Sequence, residues 1–170
     1  KIKPEYVKKI KERSRFALAV APVMQRSASL QFEDEETRTE IFGTNQDYME
    51  TIETDISNGR FFTINEDHSG SRVVVIGDGL RKAFFDDQNP IGKFIKIDKI
   101  KFKVIGVLEE QGKFLGLFSV DNQAILPFGA YTRLFSKRGW MRISVKVPEN
   151  YINLGYDEIF SIMRHLRGLK

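Results

Sequence analysis

Between Gly59 and Pro127 the chain is assembled from short apolar segments cut apart by glycine and proline. Gly59-Arg60-Phe61-Phe62 is followed by Val73-Val74-Val75-Ile76-Gly77, Asn89-Pro90-Ile91-Gly92-Lys93, Val104-Ile105-Gly106-Val107 and Ile125-Leu126-Pro127. β-Branched runs bounded by turn formers read as strands. Val73–Ile76 does not alternate with polar residues, which predicts a strand buried on both faces. No cluster of acids, bases or metal ligands lies between these segments, so they read as building parts rather than reagents. The 14 Phe residues and the many Ile and Val also favour sheet over a helical bundle. At 170 residues the chain suits one domain, or two small lobes sharing one chain. A domain of ~150 residues buries roughly 68–70% of its unfolded surface, enough for a true core.

The flanks carry helical spacing. Pro4 fits a helix first turn, and Tyr6, Val7 and Ile10 recur among lysines, predicting a basic amphipathic helix over Glu5–Arg15. Phe16–Val23 is apolar and broken at Pro22, the mark of a strand start or an edge. Ala28, Leu30 and Phe32 alternate with polar residues, as do Thr37, Thr39 and Ile41, predicting a hairpin whose acidic tip, Glu33-Asp34-Glu35-Glu36, stays in water. Asn45 is placed to cap a helix through Glu53, Asn58-Gly59 to make a tight turn, and the polar stretch Asn65–Ser71 to mark a lobe boundary. Asp78 is expected to cap a helix reaching Phe85. A second hairpin turns at Asp98-Lys99, with lysines on its outer face. Phe128–Phe135 reads as a helix, Arg142–Val147 as a strand, and Leu154–Leu166 as a closing helix with Ile159, Ile162, Met163 and Leu166 on one side. The expected fold is α+β and two-lobed. An α/β lobe is built from both chain ends, residues 1–64 and 128–170, with a β-rich lobe inserted at residues 65–127.

The chemistry-bearing residues do not converge. There is no cysteine, which removes disulfides and thiolate sites. Of the two histidines, His68 stands beside Glu66 and Asp67, short of the three or four converging ligands a metal needs. Ile76-Gly77-Asp78-Gly79 has two glycines of a dinucleotide loop, but Lys82 occupies the third position, so the glycines are assigned to a tight strand-to-helix turn. Asp86-Asp87 and Glu109-Glu110 are paired acids that nothing in the sequence places across a cleft. The expectation is therefore no catalytic centre, no cofactor and no metal. A net charge of +4, spread along the chain apart from a run at Lys1–Arg15, does not make a nucleic-acid face. No segment reaches the ~18 apolar residues of a membrane span.

One loop stands out. In Gly112–Val120, Phe114, Leu115, Leu117 and Phe118 are interrupted by Gly116. Either the loop folds back to fill the core, or it offers these four side chains as a docking or self-association surface.

Several pieces in order carry a family resemblance: Gly43-Thr44-x-x-Asp47-Tyr48, Gly59-Arg60-x-Phe62, Val73-x-Val75-Ile76-Gly77, Pro90-Ile91-Gly92-Lys93, Phe102-x-Val104-Ile105-Gly106-Val107 and Asp121-Asn122-x-x-Ile125-x-Pro127. Together they resemble the extracytoplasmic core domain of MacB-type ABC transporter permeases, the FtsX-like permease family. The resemblance implies a soluble loop between the first and second membrane helices of a permease in the bacterial inner membrane. It further implies a dimeric parent, pairing with a cytoplasmic ATPase and a possible periplasmic adaptor protein, and a mechanical rather than catalytic role. A free-standing extracytoplasmic peptide- or carbohydrate-binding module is the alternative carried by the residues alone.

Overall fold

A computed structural model of the protein describes residues 1–111, 120–135 and 140–168. Its longest strand, β1, runs unbroken from Ala19 to Phe32. The strand turns back at residues 33–34, where Glu33 takes a left-handed φ of 51°, into β2 at Glu35–Thr44. The two pair antiparallel from Val23↔Thr44 to Phe32↔Glu35. The acidic tip expected here is present and exposed. Pro22 is accommodated because the β2 ladder begins only at Val23. At Pro22 itself β1 has a single neighbour, β8 at Met141–Lys146.

The remaining strands close a ring. β2 lies parallel to β7 (Ala124–Pro127), which is antiparallel to β4 (Val73–Ile76). β4 is parallel to β6 (Ile100–Leu108), which is antiparallel to β5 (Phe94–Ile97). β5 returns to β1 through Leu30↔Ile97 and Gln31↔Lys96. The ladder β1-β2-β7-β4-β6-β5 thus meets itself as a small six-stranded barrel. β8 extends β1 on one side, and β3 (Ile56–Gly59) borders β6. Strands from residues 1–64 and from residues 65–127 share this ring.

Period-two alternation assigns the side chains. Leu30, Ile41, Ile76, Ile97, Phe102 and Leu126 share one buried cluster with Leu80 and Phe85 of α4 (Asp78–Phe85) and Tyr131 of α5 (Phe128–Leu134). The alternate positions, among them Val23, Phe42, Val75 and Ile125, form a second cluster capped by Tyr48 of α2 (Tyr48–Ile52) and by Phe62. Val73–Ile76 is buried at every position, as predicted. Full burial of one such side chain stabilises by about 1.5–3 kcal/mol. A third, smaller cluster joins α1 (Glu5–Arg13) to α6 (Ile152–Leu166) through Val7, Ile10 and Val20, with Ile159, Ile162 and Met163 against them.

The fold is α+β, as expected, with four local differences. Asn45 does not cap α2. Its side chain accepts from the Asp47 amide at 3.0 Å, an Asx turn one step earlier. Asn58-Gly59 is not a free turn but the end of β3. Gly59 is left-handed (φ 75°) and presses so closely on the Ile105 carbonyl that a Cβ would collide with it. The polar stretch Asn65–Ser71 begins inside a helix, α3 (Ile64–Ser69), set behind a complete Thr63/Glu66 capping box. Asp78 is the first residue of α4, and Gly77 holds the cap position.

Candidate functional site

The four candidate docking residues, Phe114, Leu115, Leu117 and Phe118, lie outside the described residues. The two arms from which that loop springs are described, and they are firmly held. Beyond β6, the Glu109 amide donates to the Asp55 carbonyl at 2.9 Å. The Gln111 side chain donates to Thr54 Oγ1 at 2.7 Å, and the Gln111 amide donates to Asp121 Oδ1 at 2.9 Å. The last bond joins the outgoing arm to the returning one, which is a single 3₁₀ turn at Val120–Asn122. The carbonyl of Asn122 accepts from the Thr39 hydroxyl on β2. Gly79, on α4, lets that turn approach: a Cβ there would stand 2.8 Å from the Asp121 carbonyl oxygen. Close packing, rather than a special backbone angle or a phosphate, explains this glycine. Lys82 reaches from α4 to Glu110 at 3.2 Å and to Asp78 at 3.3 Å. The carboxylates, Glu110 first, hold the Lys82 ammonium above its ordinary range. Hydrogen bonding from Arg81 holds the Asp78 carboxyl below the usual carboxylate range.

A second built region joins the two chain-end helices. α1 and α6 lie antiparallel, with the Tyr6 hydroxyl donating to the Leu166 carbonyl at 3.4 Å. At the other end the Glu158 carboxylate accepts from the Arg15 amide at 3.0 Å, from the Phe16 amide at 3.4 Å and from the Ser14 hydroxyl. Burial alone raises the Glu158 pKa, but the hydrogen bonds from Ser14, Arg15 and Phe16 outweigh it and leave the carboxyl below its ordinary value. From this clamp the chain leads into β1, and just before it the Leu18 amide donates to the Lys146 carbonyl of β8 at 2.8 Å.

The residues weighed for chemistry stay apart. His68 is exposed on α3, and its carbonyl accepts from Arg133 at 3.2 Å. Asp67 serves α5 instead of a ligand: its Oδ1 accepts from the Gly129 amide at 3.0 Å, while burial pushes its carboxyl up. Glu66, bonded twice by Arg60, is held below the ordinary range. Asp86 ends α4 with a left-handed φ of 51°, and Glu109 and Glu110 are exposed. Among the described residues no group of three His, Cys, Asp or Glu could hold a metal ion.

Sequence reasoning missed two residues that matter here. Nothing local marks Glu158, whose partner Arg15 lies 143 positions away. In the sequence Asp98 is marked only as a turn residue. Its Oδ1 also accepts from the Ser29 amide at 2.9 Å, and its own amide donates to the Ser29 carbonyl at 2.8 Å, so it fastens β5 to β1. The Thr63-x-x-Glu66 spacing is the sequence signal that marks α3.

The family model described as "MacB-like periplasmic core domain" matches residues 1–151. The chain belongs to that family. A relative of this MacB-like domain, the pyoverdine export ATP-binding/permease protein PvdT of Pseudomonas aeruginosa, is 37% identical over 99 residues, which is 58% of this chain and 15% of that protein. The uncharacterized ABC transporter permease YknZ of Bacillus subtilis is 31% identical over 122 residues, 71% of this chain and 30% of that protein. The chain therefore spans less than a third of the length of these curated relatives. The crystal structure of the periplasmic region of MacB from Actinobacillus actinomycetemcomitans shares the fold, with a TM-score of 0.83 at 20% identity over 100% of this chain and 76% of that one.

The motif pieces of the MacB-like domain are structural joints. Gly43 lies against Tyr131 of α5, Gly59 against the β6 backbone, Arg60 pairs with Glu66 at 2.6 Å, and Asp121-Asn122 roots the loop. No helix among the described residues is long and apolar enough to cross a membrane.

Proposed function

We propose that this chain is the extracytoplasmic domain of a bacterial inner-membrane ABC permease, a non-catalytic part that converts movement of membrane helices into displacement of a docking surface. The parent acts as a dimer with a cytoplasmic ATPase, and substrate or an adaptor protein engages the loop at residues 112–119. The reading rests above all on β1. This single strand of fourteen residues, about 45 Å long at the usual rise, begins beside the α1–α6 pair and ends in the barrel. Paired with β8 from Ala19 to Met24 and with β2 from Val23 to Phe32, it is laddered to a neighbour at every residue and carries displacement as a stiff element, which a flexible linker cannot do. The division into residues 1–64 with 128–170 and residues 65–127 is then one of labour: the ends transmit, and the middle carries the loop on its rooted arms.

The test is made in a full-length permease carrying this domain. A Gly-Ser insertion between Phe16 and Ala17, or Glu158→Ala, loosens the clamp without touching the barrel. Cargo export is expected to fall while ATP hydrolysis continues. Export that stays at the parental level with the insertion in place would end the transmission reading.

A further inference from the structure

Helix α6 carries one apolar stripe wider than its contact. Ile159, Ile162 and Met163 pack onto α1, β1 and β8. Ile152, Tyr156 and Phe160, which recur every fourth residue, form the flank of that stripe left in solvent, Tyr156 exposed by 68% and Phe160 by 53%. Their rings stack with centroids 6.1 Å apart, and the Arg164 guanidinium stands 5.9 Å from the Phe160 centroid. A helix face left to water ordinarily carries polar side chains at such positions. The only Trp of the chain, Trp140, is 93% exposed. It lines an open groove of ≈ 590 Å³ with Met141, Ile2, Lys1 and Arg167, at the C-terminal end of α6. Beside this face runs α1. Residues 1–15 hold seven Lys or Arg against two Glu.

We propose that this face docks onto an anionic lipid surface, with Trp140, Tyr156 and Phe160 at headgroup depth and Arg164 and Arg167 on the phosphates. Large amphipathic rings prefer the boundary between water and hydrocarbon. A helix with such rings beside cations lies in the plane of that boundary. Charge decides the occupant. Each Lys or Arg near an anionic leaflet adds attraction, whereas a second copy of this chain would present the same positive face. The proposal goes beyond the transport reading, and lipid binding by the chain alone tests it separately.

Trp140 is a built-in reporter. The 170-residue chain is titrated with vesicles of phosphatidylcholine containing about 30% phosphatidylglycerol, and with pure phosphatidylcholine. The expected result is a saturable blue shift of Trp140 emission with the anionic vesicles, reduced by salt and small with the neutral ones. Tyr156→Ser with Phe160→Ser, and separately Arg164→Gln with Arg167→Gln, should each lower partitioning about tenfold or more. Lys96→Gln with Lys101→Gln, on the exposed outer side of β5 and β6, should leave it unchanged. Circular dichroism melts confirm that each variant is folded. The proposal is overturned by an unshifted emission on anionic vesicles, by unchanged partitioning in both α6 variants, or by equal loss in the Lys96/Lys101 variant. It is also overturned by a blue shift that grows with protein concentration without lipid while the chain sediments as a dimer.

Discussion

Replacing Asp98 by alanine should open the barrel at one of its two narrowest joints. β5 and β1 share only the pairs Leu30↔Ile97 and Gln31↔Lys96, extended by the two-way contact between Asp98 and Ser29. Three losses add. The charged acceptor of the Ser29 amide contributes about 1.5 kcal/mol, at the low end of the range for charged partners because the side chain is about 30% exposed. The Arg26 pair, at 3.3 Å and similarly exposed, contributes about 0.5 kcal/mol. Asp98 also holds a left-handed φ of 46°, which alanine adopts at a cost of about 1 kcal/mol. The sum is about 3 kcal/mol, a large share of the 5–15 kcal/mol typical of a domain. In urea, with a slope of ~2 kcal/mol/M, the midpoint should fall by about 1.5 M. Asp98→Asn keeps an acceptor and the tolerance for this backbone, and should cost about 1 kcal/mol. Hydrogen exchange should quicken first at the Ser29 and Asp98 amides. A midpoint for Asp98→Ala within about 0.3 M of the parent, or an asparagine variant as weak as the alanine one, would refute the closure argument.

Three further outcomes are expected. Gly43→Ala drives a methyl into Tyr131, which is 2% exposed and cannot retreat, and should cost about 2–3 kcal/mol in thermal or urea melts. Asp78 and Asp67 should respond to pH with opposite signs. The depressed Asp78 carboxyl contributes stability that is complete above its unfolded pKa of about 3.9 and is lost as pH falls through the folded value. Asp78→Asn should therefore cost about 1 kcal/mol at pH 7 and converge with the parent in acid. The raised Asp67 carboxyl opposes folding once ionised, so Asp67→Asn, which keeps an acceptor for the Gly129 amide, should be the more stable protein at pH 7 and lose that advantage in acid. Deleting residues 112–118 and joining the arms with glycine should leave the melting temperature within a few degrees while weakening partner or substrate transfer. A large drop in melting temperature would place Phe114, Leu115, Leu117 and Phe118 in the core instead.

What the sequence revealed depended on how local the cause was. Val73–Ile76 announced a buried strand because a continuous β-branched run has no polar face to offer water. The Asp98-Lys99 turn was legible for the same reason: two apolar runs of matching length flank it. The ring was not legible. Its closure rests on one edge of β1 changing neighbours, from β8 at Ala19–Met24 to β5 at Leu30–Gln31, while β2 takes the other edge from Val23, and no residue of β1 records that exchange. Gly43, Gly79 and Gly59 were visible as glycines, but each is needed for what approaches it from a distant segment. In the candidate site, the loop was marked by its composition. Its anchors Gln111, Thr54 and Asp121 are ordinary polar residues that gain meaning only when brought together.

The continuity of β1 sets a rule for how such domains diversify. A residue added inside it would swap inward and outward side chains from that point to Phe32 and misalign three neighbouring strands at once. Substitutions along β1 are therefore tolerable where changes of length are not. Variation in size should collect at the tip beyond Phe32 and in the stretch after Gln111, leaving a gauge of constant span between the helical base and the far end.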